Sequence, residues 1–141
     1  IYNVFDQSPE KELFPACDRQ NIGVLARVPL DEGALTGKVT PETEFDPGEF
    51  RAWYFRGDRK QEVYEKVSAL LAELKAAGSE EPLATTALRF CLAHSTVSSV
   101  IPGMRQVRNV EQNLAVSDAG PLSEEVLRVL QQHAWDKNYY R

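Results

Sequence analysis

Two arginines, Arg105 and Arg108, stand just after a Pro102-Gly103 break in residues 98–113, SSVIPGMRQVRNVEQN. The apolar run ending at Ile101 reads as a short strand, Pro102-Gly103 as a tight turn, and the segment after Met104 as a helix. A helix opening after a glycine turn presents unpaired N–H groups and the positive end of its dipole, which suits an anion. The two guanidinium groups add full charges at that point. The same residues also describe a plain turn followed by a solvated helix face, and spacing alone does not separate the two readings.

Other reactive residue types are fewer. Arg27 interrupts IGVLARV (residues 22–28), a nearly continuous apolar run of the kind buried on both faces of a parallel sheet. A charge at the end of such a strand either faces a site or is held in an ion pair, and both roles stay open. The following loop, PLDEGALTGK from Pro29 to Lys38, contains Gly33 and Gly37, which allow close backbone approach to a ligand or simply a compact loop. His94 falls at a predicted helix end, a place for a dipole-favoured cation or a turn residue rather than a catalytic base. Cys17 and Cys91 lie on apolar helix faces without CxxC spacing or a nearby histidine, so both read as reduced core residues and no metal site is expected.

The elements that must position these residues follow from periodicity and punctuation. Ser8-Pro9 with Glu10 and Glu12 predicts a helix start, followed by Leu13, Phe14 and Cys17 on one stripe. Residues 59–77 predict a strong amphipathic helix with Val63, Val67, Leu70, Leu71 and Leu74, stopped by Gly78-Ser79. Residues 82–93 predict another, then a strand at 97–101, a helix closed by Leu114, and a helix opened by Ser123-Glu124-Glu125. The stretch 39–57 shows no period, and its Trp53-Tyr54-Phe55 cluster predicts a packed cover. The end, residues 133–140, predicts an aromatic tail laid back on the body, and residues 1–5 read as the end of a strand already in progress.

Strands alternating with helices imply βαβ units and a parallel sheet. Two whole strands leave edges and faces uncovered, so the chain is expected to be part of something larger. The 141 residues, 43% hydrophobic and 26% charged, suit one globular domain. Sixteen basic against twenty-one acidic residues give a net charge of −5 and no basic block, which argues against nucleic-acid or membrane-surface partners. With no apolar run of about 20 residues and no signal-like N-terminus, a cytoplasmic location is the expectation.

Three stretches together, Tyr2-Asn3, VLARVPLDEGALTGK (residues 24–38) and SSVIPGMRQVRNVEQNLA (residues 98–115), resemble the aldo-keto reductases in order and spacing. They resemble strand six, strand seven with its loop, and strand eight with its helix. The resemblance implies an α/β chain forming the C-terminal part of a (β/α)8 TIM barrel, incomplete as a barrel. It treats residues 1–141 as one unit, with a long cofactor loop at about 29–57 and a C-terminal helix and tail at 123–141.

By the same resemblance the cofactor is NADP(H). Gly103, Met104 and Arg105 map onto its adenosine half, with Arg105 as ligand of the 2′-phosphate. Asn109, Gln112 and Asn113 map onto positions that bind adenine and its ribose, and helical spacing is expected to put 105, 109, 112 and 113 on one face. Pro29, Leu30, Gly33 and Leu35 map onto the loop that folds over the pyrophosphate. Arg27 replaces an aromatic residue that stacks on the nicotinamide in many relatives; a planar guanidinium could lie against the ring or pair with the pyrophosphate. Val28 stands for a common Ser, Gln112 for a frequent Glu and Asn109 for a frequent Gln.

The family's catalytic Asp, Tyr, Lys and His belong to the first half of the barrel and have no counterpart among these residues. The chain is therefore expected to be the NADP-binding, C-terminal part of an oxidoreductase for aldehydes or ketones, inactive by itself. Its alternative role is a non-catalytic NADP-binding or protein-interaction module. The isolated chain is expected to self-associate or to pair with an N-terminal half.

Overall fold

Strands β1 (Val24–Arg27) and β2 (Val97–Ile101) pair in parallel in the computed structural model, which describes residues 1–141. Val24 faces Val97 but Leu25 faces Ser99, so Ser98 bulges out of the ladder and the pairing then runs on to Arg27 opposite Ile101. Gly23 sits at this irregularity, where a Cβ would come within 2.5 Å of the Ser98 hydroxyl.

The run 22–28, expected to be buried on both faces, is covered on one. Ala26 is 2% exposed, whereas Leu25 is 65% exposed. Leu25, Arg27, Ser99 and Ile101 alternate onto the same side by the register, and all four are exposed. Helix α4 (Leu83–Ala93) packs on β2, but the opposite face of the sheet has nothing over it.

Several boundaries differ from expectation for local reasons. Residues 1–5 bend instead of continuing a strand, because the Asn3 carboxamide oxygen accepts the N–H groups of Phe5 and Asp6, each at 2.9 Å. One strand-like bond survives there, from the Tyr2 N–H to the Arg27 carbonyl at 3.3 Å. Ser8 caps nothing: its hydroxyl donates to Asp6 at 2.6 Å, a single 3-10 turn spans Ser8–Glu10, and helix α1 begins only at Leu13, running Leu13–Arg19. The irregular stretch 39–57 includes a short helix α2 (Phe50–Tyr54). Tyr54 and Phe55 are buried as its packed cover, while Trp53 stays 41% exposed beneath the Arg56 guanidinium.

Helix α3 (Arg59–Ala76) buries Val63, Val67, Leu70 and Leu74, a 4-3-4 spacing that keeps one stripe on the core; Leu71, at its edge, is half out. It ends in a Schellman turn, with Ser79 N–H bonded to Leu74 O and Gly78 at φ 78°. Helix α6 (Glu124–Gln132) opens with Ser123, whose hydroxyl accepts the Val126 N–H, and packs on α3. The tail lies back on the body as expected: Trp135 N–H donates to Phe5 O at 2.8 Å and Tyr139 is buried.

Helix α5 (Val107–Ala115) begins later than its sequence suggests. Gln106 is extended (φ −116°, ψ 141°) and serves as the N-cap, so Arg105 lies outside the helix. The expected common face of 105, 109, 112 and 113 therefore holds only for Asn109, Gln112 and Asn113. No helix is long and apolar enough to cross a membrane.

Candidate functional site

The parallel register brings the two suspected ligand segments together. With Arg27 opposite Ile101, the loop leaving β1 and the turn leaving β2 emerge side by side at the C-terminal end of the sheet. Pro102 is buried beneath the turn, while Gly103, Met104, Arg105 and Gln106 are exposed. The Asn113 amide, one helix length away, donates to the Gly103 carbonyl at 3.2 Å and ties α5 back to the turn.

The N-terminal end of α5 is open. The N–H groups of Asn109 and Val110 both go to the Gln106 carbonyl, at 2.9 and 3.1 Å, and no side chain caps the first turn. Val107 and Arg108 thus present N–H groups without helical acceptors. Arg105 and Arg108 are exposed and join none of the chain's ion pairs. Open N–H groups, a positive dipole end and two unpaired guanidinium groups fit an anionic ligand such as a phosphate. Asn109 and Asn113 are half-buried and Gln112 exposed.

Arg27 is exposed and unpaired at the strand mouth, so the ion-pair reading of it is not realised; its charge acts on the Tyr140 phenol. Leu30 and Gly33 are half-buried in the loop, but Pro29 and Leu35 lie in the interior. Gly33 and Leu35 turn their N–H groups onto the Leu30 carbonyl, at 2.9 and 3.1 Å. In this conformation neither the Leu35 side chain nor its N–H can reach a phosphate, because the side chain fills the core and the N–H closes the turn.

That loop is built on left-handed backbone. Val28 (φ 56°), Asp31 (φ 49°) and Glu32 (φ 56°) adopt it without being glycine, ahead of Gly33 at φ 106°. Such residues cost about 1–3 kcal/mol each and persist only where their surroundings dictate them. Each has a holder. Asn3 donates its amide to the Val28 carbonyl at 3.0 Å, and Tyr140 donates its hydroxyl to Glu32 at 2.8 Å. Asp31, 3% exposed, accepts the Tyr54 hydroxyl at 2.9 Å and is ion-paired with Lys137.

Lys137 reaches this carboxylate through aromatic walls, with its ammonium 4.6 Å from the Tyr139 ring centre and 4.7 Å from that of Trp135. Burial pushes the Lys137 ammonium below its ordinary pKa, and the Asp31 charge pulls in the opposite direction. Burial foremost, then the Asp31 charge, pushes the Tyr54 phenol above its ordinary range. A cavity of about 720 Å3 opens beside the cluster, between Phe5, Trp135 and Tyr140. Sequence reasoning missed Asp31, Lys137, Tyr54, Glu32 and Tyr140. The only signals were the Asp31-Glu32-Gly33 run and a lone lysine inside the aromatic tail.

His94 behaves as a turn residue: its Nδ1 accepts the Thr96 N–H at 3.2 Å, and its ring packs on Phe14. Cys91 is buried and Cys17 half-buried, both as free thiols.

A family model described as the aldo/keto reductase family matches residues 1–134. The chain is 31% identical over 162 aligned residues to human aflatoxin B1 aldehyde reductase member 2, covering all of this chain and 45% of that protein. It is 29% identical over 119 residues to the NADH-specific methylglyoxal reductase of Escherichia coli, covering 81% of this chain and 34% of that one. The holo form of the Bacillus halodurans aldo-keto reductase AKR11C1 superposes with a TM-score of 0.68 at 26% identity, over 99% of this chain and 42% of that chain. The chain spans about half the length of the curated relatives it matches.

Proposed function

Because this chain belongs to the aldo/keto reductase family, we propose that it is the C-terminal, NADP-binding part of an oxidoreductase that reduces aldehydes or ketones. The observation that carries the reading is the adjacency of the Arg27 and Ile101 ends, which sets an open helix N-terminus and two unpaired arginines beside a loop of fixed shape. In this reading Arg105 holds the 2′-phosphate, while Gly103 and Met104 let the adenosine lie against the turn. Asn109, Gln112 and Asn113 offer amide groups to adenine and ribose. Leu30 and Gly33 face the pyrophosphate with Pro29 and Leu35 shaping the loop from beneath, and Arg27 supplies charge near the nicotinamide end.

When bound, the nicotinamide supplies hydride to a carbonyl carbon. The residues of this chain bind and orient the nucleotide; the groups that protonate the carbonyl oxygen belong to another part of the protein. The uncovered sheet face of Leu25, Arg27, Ser99 and Ile101 is where the other strands of a barrel, or a second copy of the chain, would pack.

Fluorescence titration tests the site. Arg105→Ala should weaken NADPH by about 1.5–3 kcal/mol, the range for a hydrogen bond to a charged group, and leave NADH nearly unchanged. Equal loss for both nucleotides overturns the 2′-phosphate role, a contrast sharpened by the NADH-specific relative. Incubated with NADPH and 4-nitrobenzaldehyde, the chain should turn over no faster than blank; clear turnover would show that it holds a catalytic set of its own.

A further inference from the structure

We infer that Lys137 is a positioning residue for the nucleotide loop: reaching across 106 residues of sequence, it pins Asp31 and so holds residues 28–36 in a fold that puts Val28, Asp31, Glu32 and Gly33 at positive φ. This rests on the proposed reading only in naming the loop's ligand. The pin itself follows from geometry. Three non-glycine residues in one short loop carry positive φ, a conformation that relaxes unless it is held. The holders come from three separate places: Asn3 near the N-terminus, Tyr54 on α2, and Lys137 with Tyr140 in the tail. Of these, only the Lys137 contact is a pairing of full charges, and it is almost sealed from water, with side chains 7% and 4% exposed.

The placement of the ammonium favours a pin over a surface ion pair. Rings of Phe5, Tyr54, Trp135 and Tyr139 surround it, so Lys137 has no other anion within ion-pair distance and little water. Withdrawing it leaves a buried carboxylate with a single phenol for company, which drives the loop to open toward solvent. The tail is thereby coupled to the shape of the loop that leaves β1 next to the turn leaving β2. The coupling is mechanical: Lys137 acts on the loop through Asp31.

Two readouts on the full 141-residue chain test this. In hydrogen exchange without nucleotide, Lys137→Met should speed amide exchange across residues 28–36 by at least about tenfold and leave the core of α3 unchanged. Lys137→Arg, which keeps the charge, should restore protection. If Lys137→Met folds poorly, the double variant Asp31→Asn/Lys137→Met removes the stranded charge and should still show the fast loop exchange. Unchanged exchange in the loop of either variant overturns the pin. In stopped-flow fluorescence, NADPH should leave Lys137→Met several-fold faster than wild type, with Lys137→Arg close to wild type. Equal release rates with intact NADPH binding overturn the positioning role. A chain that binds no NADPH yet shows the exchange effect overturns the nucleotide reading and leaves the pin standing.

Discussion

Cys91 and Cys17 show how far one residue's surroundings decide its chemistry. Cys91 is fully buried on α4 with its thiol donating to the Tyr2 carbonyl at 3.5 Å, and burial pushes it up to about 12. A thiol so raised holds almost no thiolate near neutrality, whereas Cys17 is half-buried. Iodoacetamide at about pH 8 should therefore label Cys17 in the native chain and reach Cys91 only after denaturation, as read by peptide mass. Cys91 was legible as a core residue from its helical spacing, whereas Cys17, read the same way, is only half-buried; Arg105 and Arg108 stood out from the turn before them. The Asp31 and Lys137 pair was not, because two isolated opposite charges separated by 106 residues leave no period or motif. Left-handed φ at Val28 and Glu32 was equally hidden, since neither is a residue type that normally announces it; Asp31 is such a type, but aspartate adopts other conformations far more often.

The bounds of α3 and of β2 were legible, whereas the covered face of β1 was not, for a physical reason visible in α3 and β1. The stripe of Val63, Val67, Leu70 and Leu74 repeats over an 18-residue helix, and Gly78 marks its end. Four-residue β1 is too short for periodicity to say which face is covered. Helix starts depended on competing polar partners: Ser123 caps α6, but Ser8 is drawn off by Asp6. Likewise the polar run after Met104 has helical spacing throughout, yet the extended Gln106 holds Arg105 out of α5. The strand bulge offers a sharper test of local fit. Gly23→Ala should destabilise the chain by about 0.5–1.5 kcal/mol, the cost of pushing the Ser98 side chain off its preferred rotamer. Adding Ser98→Ala should return most of that loss, since only the hydroxyl lies too close; urea midpoints of the wild type and the two variants decide it.

Across the molecule, the alternation of strands and helices made the parallel α/β class legible, while the cover over the sheet could not be read because a half-covered and a fully covered strand share the same apolar composition. The response of the whole chain to pH is set by four phenols. Tyr2, Tyr54, Tyr139 and Tyr140 all titrate above their ordinary 10.0 in the folded chain, with burial the largest cause in each. The unfolded chain gives up these protons first, so their contribution is fully present below about pH 10 and is lost as pH rises beyond it. Lys137 opposes this, because its lowered pKa makes the folded chain shed a proton sooner and its contribution rise with pH. Lys137 does so below its ordinary 10.5 and the phenols act above theirs, so urea stability should fall steeply once the pH passes about 10. Tyr54→Phe should make that fall shallower, although it starts from a lower stability at neutral pH.

The latch between loop and tail also orders events in time. Glu32 and Asp31 meet Tyr140 and Lys137 across 108 and 106 residues, so the loop cannot settle until residues 137–140 have been made and folded back onto it. During synthesis β1 and helices α1 to α5 all emerge before the tail residues that complete the hold on residues 28–36. The loop that leaves β1 is, by this arrangement, fixed later than the strand it leaves and the helices between it and the tail.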